Sequence, residues 1–230
     1  MLRFAVSLLA LWCVAAASFA SPDDIKAVYR LSMNGILIGQ VSEHFKRDAN
    51  SYTIVSESRS DGVLGLFFHD TLKITSEGRI TPAGLQPLKY EFSRAGDGSK
   101  TILATFNWDI NLLKSEHDGK TQDIPLEPGS QDRLSIMYQF MLSPPRRDEV
   151  KAWMTNGKKV EQYVYRKQGD AVLKTPAGDF DAVHYRRDTK PGEDKAQLWL
   201  AKDRFFLPVR ILFEDRNGTL DQTLVTLSIQ

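Results

Sequence analysis

The residues able to do acid–base or metal chemistry are scattered along this chain. None of His44, His69, His117 and His184 has a second histidine or a cysteine at the spacing of a metal site. Only His69 is followed directly by a carboxylate, Asp70, and neighbours on a strand point to opposite faces and so cannot share one pocket. We predict a structural or solvated role for this pair, and no metal site.

Nucleophile and phosphate-binding motifs are also missing. No serine lies in a nucleophile elbow, and the stretch Gly96–Ser99 lacks the spacing and the helix context of a phosphate loop, which leaves a hairpin turn. Carboxylates are plentiful, but a general acid and base are defined by their arrangement in space. We therefore expect no enzymatic activity and no cofactor. A hydrolase acting on cell wall or glycan is a third-ranked hypothesis, and it requires carboxylates clustered in a cleft.

Two apolar segments are candidates for contact with an apolar ligand. The stretch 62–68 carries no charge, and each of its large side chains costs about 1.5 to 3 kcal/mol when left in water. It is either a loop that crosses the core or a lid over a hydrophobic cavity. The second segment is a helical stripe near residue 138, which either plugs the sheet or lines a crevice beside it. The predicted ligand-binding residues are Leu64, Leu66, Phe67, Phe68, Tyr138 and Met141.

The elements that must position these residues are mostly strands. Apolar residues alternate with polar ones along most of the chain, as in Tyr29, Leu31 and Met33, and Asn34-Gly35 is a strong hairpin signal. Such short strands, separated by frequent turns, predict a mainly β fold. We expect a curved antiparallel sheet or a partly open barrel of about 10–13 strands, connected as a meander.

One segment departs from the alternation. Apolar residues at 134, 137, 138 and 141 have helical spacing, which predicts one amphipathic helix over residues 130–142. Ser130 is the expected N-cap, Asp132 complements the positive end of the helix dipole, and Pro144-Pro145 ends the helix.

The first twenty residues have the pattern of a signal peptide. Arg3 precedes an apolar run, and Ser18 and Ala20 are the small residues expected before a cut after Ala20. A retained anchor is disfavoured because a spanning helix needs about 20 apolar residues. A lipoprotein is disfavoured because Trp12 precedes Cys13, where a small residue is required. We expect residues 21–230 to form a single domain in the periplasm.

Composition excludes other classes of function. The chain has 30 basic and 29 acidic residues, and removal of Arg3 with the signal brings the net charge to zero. Binding to nucleic acid is disfavoured because it requires a clustered basic excess. Signal cleavage also removes the only cysteine, Cys13, so the mature protein has no disulfide. No later segment is long enough to predict a stable membrane span.

Five stretches of the sequence together resemble a bacterial family of exported proteins, the family called domain of unknown function 3108. They are Tyr29–Gly39, Asp132–Ser135, Thr175–Val183, Leu198–Asp203 and Leu207–Ile211. The resemblance implies export and no established activity. The last two stretches are also similar to the periplasmic lipoprotein carriers, which fold as a curved sheet wrapped on helices with an apolar cavity for acyl chains. That similarity is at the level of the fold alone.

These observations lead to two main hypotheses. The first is a periplasmic binding or scaffold protein whose curved sheet holds an apolar, lipid-like or acyl ligand. The alternative is an envelope protein–protein interaction module with a filled core. They differ in whether the interior beside the helix is empty or packed.

Overall fold

The structure is a computed structural model that describes residues 22–60, 71–95 and 97–230. Within these residues the chain forms fifteen β-strands and one α-helix, α1 (Ser135–Leu142), which lies between the ninth and tenth strands. The predicted fold class, a mainly β protein with a curved sheet and one helix, is confirmed. The strands are β1 (Asp24–Met33), β2 (Ile36–Arg47), β3 (Ser51–Ser60), β4 (Leu72–Thr81), β5 (Gly84–Arg94), β6 (Asp97–Asn107), β7 (Leu112–His117), β8 (Lys120–Pro125), β9 (Gln131–Asp132), β10 (Glu149–Thr155), β11 (Val160–Thr175), β12 (Gly178–Arg187), β13 (Lys195–Ala201), β14 (Leu207–Asp215) and β15 (Gly218–Ile229).

All fifteen strands belong to one sheet, and its order is that of a meander. Strands β8 to β1 follow one another across the sheet, and β15 to β9 continue it. The junction is the antiparallel pairing of β1 with β15, in which Ile25 faces Ile229 and Met33 faces Leu220. Because β8 and β9 are the two edges, the backbone ladder does not close into a barrel.

The sheet has more strands than the 10–13 expected. The additional ones are short: β7 and β8 have six residues each and β9 has two. Strand β8 carries mostly exposed polar residues, so it has no apolar alternation to mark it in the sequence. Strand β9 is paired parallel to β10, a contact between segments that no local pattern indicates.

Side chains hold the unclosed part of the sheet together. The turn between β10 and β11 packs against β7 and β8, where Ser115 Oγ donates to the carbonyl oxygen of Gly157. Gln122 Nε2 donates to the carbonyl oxygen of Lys158 at 3.0 Å, and Lys158 Nζ lies 2.8 Å from Asp118 Oδ2. A side chain at residue 157 would collide with Ile102, which is why glycine is required there.

The first predicted hairpin is confirmed. Asn34 and Gly35 both have positive φ, at 51° and 81°, as a two-residue turn between twisted strands requires. Asn34 also accepts a hydrogen bond from the Thr219 amide at 2.8 Å, so this turn is tied to the neighbouring hairpin.

The predicted helix start is wrong. Helix α1 begins at Ser135, and Gln131 and Asp132 belong to β9. Ser130 does not cap the helix, since its hydroxyl donates to the Glu127 carbonyl. Asp132 binds the amides at the start of the helix instead. Its Oδ1 accepts hydrogen bonds from the backbone amides of Leu134 and Ser135, at 2.9 Å each. The predicted end before Pro144-Pro145 is confirmed, because the last helical residue is Leu142.

The helix fills one end of the concave, inner face of the sheet. Tyr138 and Met141 pack in a cluster with Phe45, Ile54 and Leu85. Ile136 and Phe140, on another side of the helix, pack with residues of β10 to β13. Five of the eight helical residues are buried, so α1 is a core element. Among the described residues, no helix has the length and apolar content to cross a bilayer.

Candidate functional site

Four of the six predicted ligand-binding residues, Leu64, Leu66, Phe67 and Phe68, lie outside the described residues. The other two are brought together inside the sheet, in the cluster that contains Phe45. Tyr138 is 2% exposed and its ring stacks on Phe45 with centroids 5.0 Å apart, while Met141 is 5% exposed. Their assignment to ligand binding stays a prediction.

Asp132 anchors the start of the helix to the sheet. Besides the two helix amides, its carboxylate accepts a hydrogen bond from Ser76 Oγ at 2.5 Å. Ser76 is in turn 3.2 Å from the hydroxyl of Tyr52, and all these groups are buried. Burial raises the pKa of Asp132, and the hydrogen bonds from Ser76 and the helix amides oppose that rise. Asp132 is therefore a buried carboxyl that accepts hydrogen bonds at both of its oxygens.

Glu43 is a second buried carboxyl, on strand β2, and its measured hydrogen bonds are longer than those of Asp132. Tyr138 donates to Oε2 at 3.1 Å, and Ser56 lies at 3.5 Å from Oε1. Burial is the largest effect on Glu43 and raises its pKa, while the hydrogen bonds from Tyr138, Ser56 and Gln222 lower it. Glu43 and Asp132 belong to separate hydrogen-bond networks, although both touch the helix-filled end of the sheet.

Beyond the helix, the inner face carries apolar residues that are only half-buried. Ile74, Phe92 and Ile102 are side by side on β4, β5 and β6. Across the sheet, Ile211 and Phe213 on β14 have the same exposure and pack on the edge of the cluster around Tyr165. Large apolar side chains on a concave surface that are not fully covered are the usual lining of a ligand site.

Two arginines stand next to this half-buried surface. Arg133 is exposed although Asp132 and Leu134 on either side of it are buried. Arg187 faces Tyr165 directly across the β11–β12 pair, and its guanidinium lies 4.7 Å from the centre of the Tyr163 ring. Both positive charges lower the pKa of Tyr165 against the larger effect of burial, which raises it. We call Arg133, Arg187 and Tyr163, Tyr165 and Tyr90 the arginine–tyrosine region.

A third aromatic arrangement lies on β12, β13 and β14, where Trp199 packs against the buried cluster that contains Tyr29 and Val209. Trp199 stacks on His184, with centroids 4.2 Å apart, and Arg210 lies 5.1 Å from the Trp199 ring. Arg210 also makes a bidentate ion pair with Asp221, whose shortest contact is 2.6 Å. This group is satisfied by its own members and covers both faces of the indole, so it is a structural feature of the sheet.

The described histidines are well separated from one another. His44 lies 3.0 Å from Asp24, His117 lies 3.1 Å from Asp118, and His184 bonds to Gln197. Over residues 22–60, 71–95 and 97–230, no three histidine, cysteine or acidic side chains gather at a metal-binding distance. His69 and Asp70 lie outside the described residues.

Two hollows on the surface are formed by turns and lie away from Tyr138 and Met141. One is between the β12–β13 and β14–β15 turns and is lined mainly by charged residues. The other is between the β11–β12 turn and the end of β15, with Arg204 at its side. Both are shallow and open to solvent, so neither has the enclosed apolar shape expected of a site for an acyl chain.

Sequence reasoning missed Glu43 and the two arginines. The signal for Glu43 was present, because it alternates with Val41 and Phe45 and so must share their buried face. Arg187 has a similar signal, since it follows Val183 and Tyr185 on one face of β12. Arg133 has none, because its position depends on how β9 docks against strands that are distant in the sequence.

An open antiparallel sheet that curves around a single helix defines a β-barrel-like protein. The chain belongs to the family described as Protein of unknown function (DUF3108), whose model matches residues 28–225. This confirms the resemblance found in the sequence.

A solved structure shows the same fold. A Brucella abortus protein described as a β-barrel-like protein of domain of unknown function DUF1849 superposes with a TM-score of 0.60. The two are 12% identical over 92% of this chain and 99% of that chain, so the likeness shows the fold alone. A Bacteroides fragilis protein described as having a YmcC-like fold gives a TM-score of 0.35, with 10% identity over 91% of this chain and 98% of that one, and carries no argument. No curated protein matches the chain.

Proposed function

We propose that this protein is exported to the periplasm, loses residues 1–20, and holds an apolar, lipid-like or acyl ligand on the inner face of its sheet. The observation that carries the proposal is the half-buried apolar surface formed by Ile74, Phe92 and Ile102 with Ile211 and Phe213 opposite. An acyl chain that covered these side chains would remove them from water, at about 25 cal/mol for each Å² buried.

Helix α1 borders this surface on one side. Because α1 is itself buried in the core, we expect the ligand to lie beside it, over the half-buried side chains on β4, β5, β6 and β14. Under this proposal Tyr138 and Met141 lie in the packed core next to the ligand. Leu64, Leu66, Phe67 and Phe68 remain the predicted contacts from the β3–β4 connection. No catalytic step is needed, and we expect none.

Native mass spectrometry of the mature protein purified from the periplasm tests the proposal. We expect a second species, heavier by the mass of an acyl ligand, that reverts to the bare protein on collisional activation. The mature protein should also take up a fluorescent fatty acid. A bare mass together with no uptake of the fatty acid would contradict the proposal.

Two variants test whether the fatty acid binds on the inner face of the sheet. Phe92→Asp places a charge on the half-buried inner surface and should abolish uptake of the fatty acid. Val172→Asp is the matched control, because Val172 is 68% exposed on β11, and it should leave uptake unchanged. Near-ultraviolet circular dichroism of both variants checks that the aromatic core is intact.

The second candidate function is an envelope interaction module. The observation in its favour is a pair of consecutive apolar residues at the tip of the first hairpin, Ile36 and Leu37, which are 68% and 50% exposed. Crosslinking in the periplasm that recovers one protein partner, and that is lost in Ile36→Asp while fatty-acid uptake persists, would support this function alongside the first.

A further inference from the structure

Arg133 has no hydrogen-bond or ion-pair partner among the described residues, although the carboxylate of its neighbour Asp132 is fully bonded, with three hydrogen bonds. Burial raises the pKa of the Tyr90 hydroxyl, and the positive charge of Arg133 partly opposes that rise. Arg133 acts in the same direction on Tyr165. The backbone also places Arg133 near Tyr90: Asp132, next to Arg133, is bonded to Ser76 at 2.5 Å, and Ser76 is paired with Tyr90 across β4 and β5.

Arg187 approaches the same tyrosines from β12. Its Cα is paired with that of Tyr165, and its guanidinium lies over the ring of Tyr163 and donates to the carbonyl oxygen of Asp194. No carboxylate forms an ion pair with it among the described residues. One face of its guanidinium is held by the aromatic ring, which fixes the direction in which its remaining N–H groups point.

Glu161, an acid close enough to Arg187 for that charge to lower its pKa, already has other partners. Glu161 accepts hydrogen bonds from Lys159 Nζ and from the Tyr163 hydroxyl, both at 2.8 Å. The hydrogen bond from Lys159 is the largest effect on Glu161 and holds its pKa below the ordinary value. The arginine–tyrosine region therefore has a net positive charge beside an apolar surface.

We infer that the ligand is an amphiphile with an anionic head group, whose carboxylate is bound by Arg133 and Arg187 while its chain covers the half-buried apolar surface. This inference rests on the proposed function. Guanidinium groups suit the task because they present paired N–H donors that match the two oxygens of a carboxylate. The hydroxyls of Tyr90 and Tyr165 supply further donors, since that of Tyr163 donates to Glu161. A neutral or cationic head group would leave both arginines without a counter-charge.

Binding of palmitate and of hexadecanol, measured side by side by isothermal titration calorimetry, tests the inference. The two ligands share the chain and differ in the charge of the head group. We expect palmitate to bind the mature protein about tenfold more tightly or better, which corresponds to about 1.4 kcal/mol. Acetate, a carboxylate without a chain, should not displace palmitate at the same concentration.

Three glutamine variants assign the effect to residues. Arg133→Gln and Arg187→Gln should each weaken palmitate binding about tenfold while leaving hexadecanol binding within about twofold, since the chain surface is untouched. Arg30→Gln is the matched control, because Arg30 is exposed on the outward face of β1. It should change neither affinity.

The possible outcomes separate the two ideas. If both ligands bind equally and neither inner variant changes palmitate binding, the anionic head group is wrong and the proposed function stands. If neither ligand binds, both ideas fail. Displacement of palmitate by acetate would overturn the inference, because it would mean a site for small anions with no use for the chain.

Discussion

Asp132 and Arg133 are neighbours in the sequence and lie in opposite surroundings. Asp132 is buried in the helix-filled end of the sheet, where Ser76 and two backbone amides use its carboxylate. Arg133 is exposed on the side of the arginine–tyrosine region and makes no ion pair with any described residue. At the helix-filled end the Asp132 carboxylate is satisfied by its neighbours, and among the described residues the buried side-chain atom without a partner is Gln131 Oε1. The arginine–tyrosine region, by contrast, has positive charge and apolar surface in excess of its own partners.

This difference separates stability from binding. Removal of a buried polar group whose partners remain is costly, because each of those partners loses its hydrogen bond and stays out of water. A solvated arginine with no partner contributes little to folding, so its removal costs little. Substitutions at the helix-filled end should therefore change the free energy of unfolding, and substitutions in the arginine–tyrosine region should change affinity.

The largest expected effect is that of Asp132→Ala. It removes the acceptor for the first helical amides and for Ser76, and we expect the free energy of unfolding to fall by about 3 kcal/mol. Urea denaturation of the mature protein measures this. Asp179→Ala is the control, since Asp179 is exposed on β12. A loss of stability in Asp132→Ala no larger than that in Asp179→Ala would show that the hydrogen bonds to Asp132 do not stabilise the helix-filled end.

A smaller effect that depends on pH is expected at Glu43. Its pKa is raised in the folded protein above the ordinary value of 4.5, so the unfolded chain releases this proton at lower pH than the folded one. The stability contributed by the protonated carboxyl is present at low pH and is lost as pH rises from 4.5 through the raised folded pKa. Glu43→Gln should remove this loss. The free energy of unfolding of the variant should therefore rise relative to that of the parent as pH rises.

Urea denaturation of the parent and of Glu43→Gln, at a series of pH values from the acidic range to neutrality, checks the sign. Glu127→Gln is a suitable control because Glu127 is exposed. Parallel stability curves for the parent and Glu43→Gln would show that the Glu43 carboxyl titrates alike in the folded and unfolded protein.

The smallest effect on stability is expected at Arg133. Arg133→Gln should leave the free energy of unfolding within about 0.5 kcal/mol of the parent, because no described group loses a partner. Thermal unfolding followed by circular dichroism measures this without ligand. Addition of palmitate should then raise the midpoint of the parent more than that of the variant. A clear loss of stability without ligand would place Arg133 among the structural residues.

Much of the fold is predictable because local patterns and tertiary structure agree. Alternation along β1 and β2 and the Asn34-Gly35 turn specify a hairpin without reference to distant residues. The start of the helix was misplaced because Ser130 and Asp132 are both good caps, and only the docking of β9 against β10 decides between them. Strand β8 was missed because an exposed edge strand needs no apolar alternation.

The candidate site was less predictable for a physical reason. Tyr138 and Met141 were identified from helical spacing, which reports burial and not contact with a ligand. Arg133 lies near Tyr90 because of two contacts between distant segments, the pairing of residues 131–132 with the end of β10 and the bond from Ser76 to Asp132. A single arginine in a sequence carries no sign of whether an acid stands beside it in the fold, so its lack of a partner is visible only in three dimensions.

Photo-crosslinking with a fatty acid that carries a diazirine near the end of its chain tests whether an acyl chain binds on the inner face of the sheet. After irradiation of the mature protein and proteolysis, mass spectrometry of the peptides locates the modified residues. We expect adducts on inward-facing residues of β5, β6 and β14, such as Phe92, Ile102 and Ile211, and we expect excess palmitate to remove them. Adducts confined to exposed residues such as Ile110 or Val172, or adducts that persist with excess palmitate, would show that the acyl chain does not bind on the inner face.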